Sequence, residues 1–123
     1  MSAPHWPTEL RLKAGGRLLS IAFEDATFEL EAEYLRIASP SAEVQGHGPA
    51  ERKTLGGKRE VAIRALEPVG HYAIKLIFDD GHDSGLYTWQ YLHDLGSDAT
   101  TRWAAYLDQL AAKGLSRDRP GQA

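Results

Sequence analysis

Residues His71 to Leu92, HYAIKLIFDDGHDSGLYTWQYL, join the most strongly apolar extended segment of the chain directly to a dense polar cluster. Tyr72, Ile74, Leu76 and Phe78 alternate with Ala73, Lys75 and Ile77, the two-residue period of a strand with one heavily apolar face. This segment is expected to be the central strand. The run breaks at Asp79-Asp80-Gly81, where glycine admits a positive φ, and His82, Asp83 and Ser84 follow at once. Groups able to ligate a metal or hydrogen-bond therefore gather at the end of the best strand. Such residues also build ordinary polar turns, so the stretch points to a small soluble α+β domain without naming an activity.

At 123 residues, a compact chain buries about two thirds of the surface exposed by its unfolded form, so one domain is expected. With 42% hydrophobic and 25% charged residues, extensive disorder is not expected. The formal net charge of -3 supplies no basic field for sequence-independent nucleic-acid binding. The absence of cysteine excludes disulfides and thiolate-held zinc or iron-sulfur clusters within the chain. No apolar run approaches the roughly 20 residues of a membrane helix, and MSAPHWPTEL does not read as a signal peptide. A cytoplasmic protein without a membrane partner is the expectation.

Taken in order, residues 1–8 read as a flexible lead-in, with Trp6 expected to close the edge of the core. Segments 9–12, 18–23 and 27–30 read as an antiparallel meander turned at Gly15-Gly16 and Glu24-Asp25-Ala26. Residues 31–38 favour a short helix, ended before Pro40. Residues 58–66 restart a sheet through Val61, Ile63 and Ala65, turn at Glu67-Pro68-Val69-Gly70 and pair with the central strand. A short edge strand at 85–87 then leads into a helix capped by Thr88 and stopped by Gly96. A longer helix, 99–113, is capped by Asp98 and stopped by Gly114, with Trp103, Tyr106, Leu107 and Leu110 covering the sheet. Residues 114–123 read as a flexible tail, making 9–113 the single domain.

The candidate chemistry lies in two polar loops. His47 sits between Gly46 and Gly48, and His82 lies in DDGHDS. If the loops meet, His47 and His82 with Asp80, Asp83 or Glu43 offer imidazole and carboxylate ligands suited to zinc or ferrous iron. Neither HxH nor HExxH occurs, so local spacing alone builds no metal site, and no cofactor is expected by default. Lys58 is not followed by Ser or Thr, which excludes a P-loop, and no serine lies in a GxSxG elbow.

WPTELRL at 6–12, AEYLRIASPSAEVQGHG at 32–48 and LEPVGHYAIKLIFDDGHDSGLYTWQYL at 66–92 resemble a small bacterial family similar to the N-terminal domain of gamma-butyrobetaine hydroxylase. The resemblance spans roughly residues 6–112. It implies an α+β fold of small antiparallel sheets with short helices. In the hydroxylases, the N-terminal domain resembles a zinc module with three clustered cysteines and a distant histidine, while oxygenation belongs to a later domain. Here the cysteine region resembles Ser39 to Val44, without thiolates, and His82 resembles the distant histidine. The later Trp89 resembles an aromatic near the start of the following helix.

A related domain is fused to some P-loop ATPases of the iron-sulfur cluster carrier family. The resemblance therefore implies a non-catalytic accessory or protein-binding module, with an iron-sulfur carrier as a candidate partner. The expected partner or ligand surface comprises Arg36, Glu43, His47, Asp80, His82 and Asp83, with Tyr87 or Trp89 as an apolar anchor if exposed. A metal-binding domain or a small metal-dependent enzyme is the alternative.

Overall fold

The computed structural model describes residues 6–40 and 54–118. These residues form two three-stranded antiparallel sheets, three α-helices and a short 3-10 turn at Ala14–Gly16, giving the expected α+β fold of small sheets and short helices. The first sheet contains β1 (Pro7–Lys13), β2 (Leu18–Phe23) and β3 (Thr27–Glu31), with β2 at its centre. Helix α1 (Ala32–Ile37) follows directly. The second sheet contains β4 (Ile63–Val69), β5 (Ala73–Phe78) and β6 (Leu86–Thr88), with β5 central. Helices α2 (Trp89–Ser97) and α3 (Ala99–Ala112) complete these elements.

Alternation explains both central strands. Leu19, Ile21 and Phe23 on β2 and Ile74, Leu76 and Phe78 on β5 are buried in one cluster with residues from α1 and α2. Full burial of each such side chain contributes about 1.5–3 kcal/mol. The β1–β2 turn brings the sheets together at Gly16. At φ 89°, its missing side chain admits the Ile63 carbonyl oxygen, which a Cβ would meet at 2.1 Å.

The second sheet departs from the expected faces at one point. Ile63 pairs with Phe78 but Ala65 pairs with Ile77, so Arg64 is an extra residue in β4. The insertion exchanges the strand faces: Val61 and Ile63 are buried, whereas Leu66 rather than Ala65 packs against the core. Glu67, Pro68 and Val69 remain in the strand, and the chain turns at Gly70, φ 57°. Pro68 is accommodated because β4 is an edge strand.

The ends and helices also differ from the sequence expectation. Trp6 is 51% exposed, so its ring does not close the core, and Pro7 already belongs to β1. Thr88 caps α2 by accepting a hydrogen bond from the Tyr91 N–H at 3.1 Å. Gly96 lies within α2 instead of ending it, because the Phe28 ring packs where a Cβ would stand. Asp98 makes no side-chain cap to α3. Its backbone N–H donates to Asp94 and its carbonyl accepts from Arg102, linking the helices nearly end to end.

Part of the expected tail is packed. The Arg117 guanidinium makes two bonds, 2.8 and 2.6 Å, to the buried Glu33 carboxylate and lies over the Trp103 ring. No helix among the described residues is long and apolar enough to cross a membrane.

Candidate functional site

The loop after β5 is shaped by its own polar groups. Gly81, with φ 91°, reverses the chain, and Asp80 Oδ1 accepts from the His82 backbone N–H at 3.1 Å. The Phe78 N–H donates to the His82 carbonyl at 3.0 Å. This turn places Asp80 against α1, where its Oδ2 accepts from Arg36 Nε at 2.8 Å and Lys58 Nζ at 2.7 Å. It also places His82 Nε2 2.8 Å from Ser39 Oγ. Gly85 closes the arrangement, since a Cβ there would lie 2.4 Å from Ser39 Oγ.

Burial alone would raise the Asp80 pKa. The Lys58 ammonium, the His82 N–H and the Arg36 guanidinium outweigh that effect and hold it at about 2. The carboxylate is therefore ionised across the neutral range. Arg36 Nη1 is buried and has no hydrogen-bond partner among the described residues.

The structure brings Arg36, Asp80 and His82 together, but not as an exposed rim. Arg36 and His82 are buried, at 8% and 6% exposure, while Asp83 points to solvent. Tyr87 is fully buried and donates to the Leu35 carbonyl at 2.6 Å, so it cannot serve as a surface anchor without local opening. Trp89 is half-buried, its indole N–H donating to the His71 carbonyl at 2.9 Å. Glu43 and His47 lie outside the described residues. The alternation of β6 required an inward Tyr87 once Leu86 faced out, and the position of α1 gives its hydroxyl the Leu35 carbonyl as a partner.

A different surface is open. Leu30 of β3, Tyr34 of α1 and Ala99, Trp103, Ala104 and Leu107 of α3 line a shallow, mainly apolar groove of about 520 Å³. Glu29 and Glu31 stand along its β3 side. Tyr106 and Leu110 turn into the protein, but Leu107 remains 40% exposed, contrary to the expectation that it covers the sheet. Trp103, Tyr106, Leu107 and Leu110 spread over about 100° of helix surface, and Leu107 lies at its exposed margin. Tyr34 forms part of its floor; burial pushes its phenol up to about 12 despite the nearby Arg102, and the hydroxyl donates to Leu95 at 2.6 Å.

The family model described as gamma-butyrobetaine hydroxylase-like, N-terminal, matches residues 10–93, which run from within β1 through both sheets and α1 into α2. The chain belongs to this family. Two proteins with solution structures determined by NMR are similar to this chain, at 44% identity each. The first has a TM-score of 0.85, with 98% of this chain and 95% of the other covered. The second has a TM-score of 0.79, with coverages of 99% and 94%. A crystal structure of a protein of unknown function from Acidithiobacillus ferrooxidans ATCC 23270 is 35% identical, with a TM-score of 0.61 over 73% of this chain and 91% of that one. Among curated proteins, none matches this chain.

Among the described residues, the side chains at the position resembling the hydroxylase zinc module do not form a closed zinc site. Ser39 and His82 lie within hydrogen-bond distance of each other, Gly85 packs against the same hydroxyl, and no thiolate is present. Among the described residues, no group of three or more His, Asp or Glu side chains is placed to hold a metal ion.

Proposed function

We propose that this gamma-butyrobetaine hydroxylase-like domain is a non-catalytic accessory module that binds another protein through the β3–α3 groove. The observation carrying this reading is an apolar floor containing Trp103 and a 40% exposed Leu107 beside the carboxylates Glu29 and Glu31. An amphipathic partner helix with a basic flank matches that surface: its apolar side covers Trp103 and Leu107, and its cations meet the acidic edge. The polar loop acts differently. Arg36, Asp80 and Lys58 brace α1 against the second sheet, while His82 meets Ser39 beneath Gly85.

The first partner to test is a P-loop ATPase of the iron-sulfur carrier family, because a related domain is fused to some of these enzymes. Purified carrier is titrated into isotope-labelled domain and amide shifts are followed. The reading requires saturable shifts around Leu30, Tyr34, Trp103 and Leu107, lost in folded Leu107→Asp. No shifts, or shifts confined to another face, would reject the carrier as the groove's ligand.

A further inference from the structure

The polar loop contains an imbalance that the packing does not resolve. Asp80 Oδ2 already receives hydrogen bonds from Arg36 Nε and Lys58 Nζ, and Oδ1 receives the His82 N–H. Among the described residues, two cations thus face one carboxylate, leaving a local surplus of one positive charge. Among the described residues, the acids next in sequence do not complete the cluster: Asp79 is exposed and accepts from the Ala62 N–H, and Asp83 is exposed. Arg36 is only 8% exposed, yet its Nη1 is buried with no hydrogen-bond partner among the described residues. A buried charged donor left in this state is costly, and it is a recognised sign of a missing water or ion. Water would satisfy the N–H groups. Only an anion would also balance the charge.

We infer that Arg36 and Lys58 form a binding site for a small oxyanion, with Arg36 Nη1 donating to one oxygen and Lys58 Nζ supplying the solvent-side charge. Chemistry selects an oxyanion because the planar guanidinium has fixed, directed donors, whereas the ammonium is a compact point charge on a flexible stem. Arg36 Nη1 is closed off from solvent, so entry requires the Lys58 side chain, which retains 23% exposure against 10% for Arg36 and 11% for Asp80, to swing aside. Asp80 holds both cations in place and selects for a ligand that tolerates a neighbouring carboxylate through the donors between them. The bound group is a carboxylate or a phosphoryl oxygen set. This site is separate from the β3–α3 groove.

Thermal unfolding of the full chain at neutral pH, in phosphate, acetate or chloride of equal ionic strength, tests the inference. Phosphate or acetate should raise the midpoint by several degrees over chloride in a saturable manner, through preferential binding to the folded state. The anion that acts identifies a phosphoryl group or a carboxylate. Arg36→Lys keeps a cation beside Asp80 but removes the guanidinium fork, and Lys58→Met removes the outer charge; each should abolish the response. Leu107→Asp should retain it, which distinguishes this site from the groove. Equal midpoints in all three salts overturn the inference, as does a response retained in either Arg36→Lys or Lys58→Met. Should Arg36→Lys not fold, Lys58→Met gives the decisive comparison.

Discussion

The hydroxyl of Tyr87 donates to the main-chain carbonyl of Leu35 across 2.6 Å, joining β6 to the middle of α1 between two fully buried residues. The contact gives the buried phenol a tertiary hydrogen bond. Tyr87→Phe keeps the ring but removes the donor, leaving the Leu35 carbonyl without that bond. Chemical denaturation should show a loss of about 1–2 kcal/mol with an unchanged denaturant slope. Wild-type stability would show that this bond has no net stabilising role.

Asp80 gives the fold an acid limit. Its folded pKa, about 2, lies below the ordinary value of 3.8, so the folded state favours the ionised form. The resulting stability is fully present above about pH 4 and is lost as pH falls through 4 toward 2. With allowance for solvent screening, it amounts to about 1–2 kcal/mol. Denaturation between pH 2 and 6 should give a shallower pH slope for Asp80→Asn than for wild type. An identical slope would remove Asp80 as the source.

Gly96 is required by its neighbour across the helix–sheet contact. A Cβ would stand 2.4 to 2.6 Å from Cγ, Cδ1 and Cδ2 of Phe28. Gly96→Ala gains about 1 kcal/mol in helix propensity but overpacks this contact, at a cost of about 1–3 kcal/mol. The single variant should be less stable than wild type, and Phe28→Leu should rescue part of the loss in the double variant. A stabilised single variant would mean that Phe28 moves aside freely.

Arg117 lies outside the expected 9–113 domain, yet it holds Glu33, which is 4% exposed. Ending the chain at Gly114, or making Arg117→Met, strands that carboxylate and should cost about 2–3 kcal/mol. Adding Glu33→Gln to Arg117→Met should recover part of the loss, as read in a double-mutant cycle. An unaltered unfolding midpoint for the shortened chain would return Arg117 to the tail.

Elemental analysis of protein purified without chelator should find well below one zinc or iron per chain. The prediction rests on the Ser39–His82 contact in place of a thiolate ligand set. About one equivalent of metal, lost in a folded His47→Ala/His82→Ala variant, would overturn it.

Local order was legible because it repeats at short range. Alternation over Ile74, Leu76 and Phe78 marked the central strand, Gly81 marked the turn after it, and Thr88 marked a helix start. Each depends on backbone geometry within a few residues. The same local reasoning placed Asp80 and His82 in a polar cluster, but it assigned them to a surface and extended that surface to Tyr87.

Packing decided the rest. Arg36 meets Asp80 across 44 positions, Ser39 meets His82 across 43 and Arg117 meets Glu33 across 84. Whether a charged side chain is a solvated rim or an internal brace depends on which distant segment covers it, a property absent from its own neighbourhood in sequence. Gly96 resembles a helix stop until Phe28 occupies the missing Cβ position, and Leu107 resembles a core residue until the limited edge of β3 leaves it exposed. The sequence by itself determined the periods and turns of the backbone, because these are local steric preferences. Tertiary structure alone decided which polar groups are buried and which apolar groups remain open, because burial is set by long-range packing.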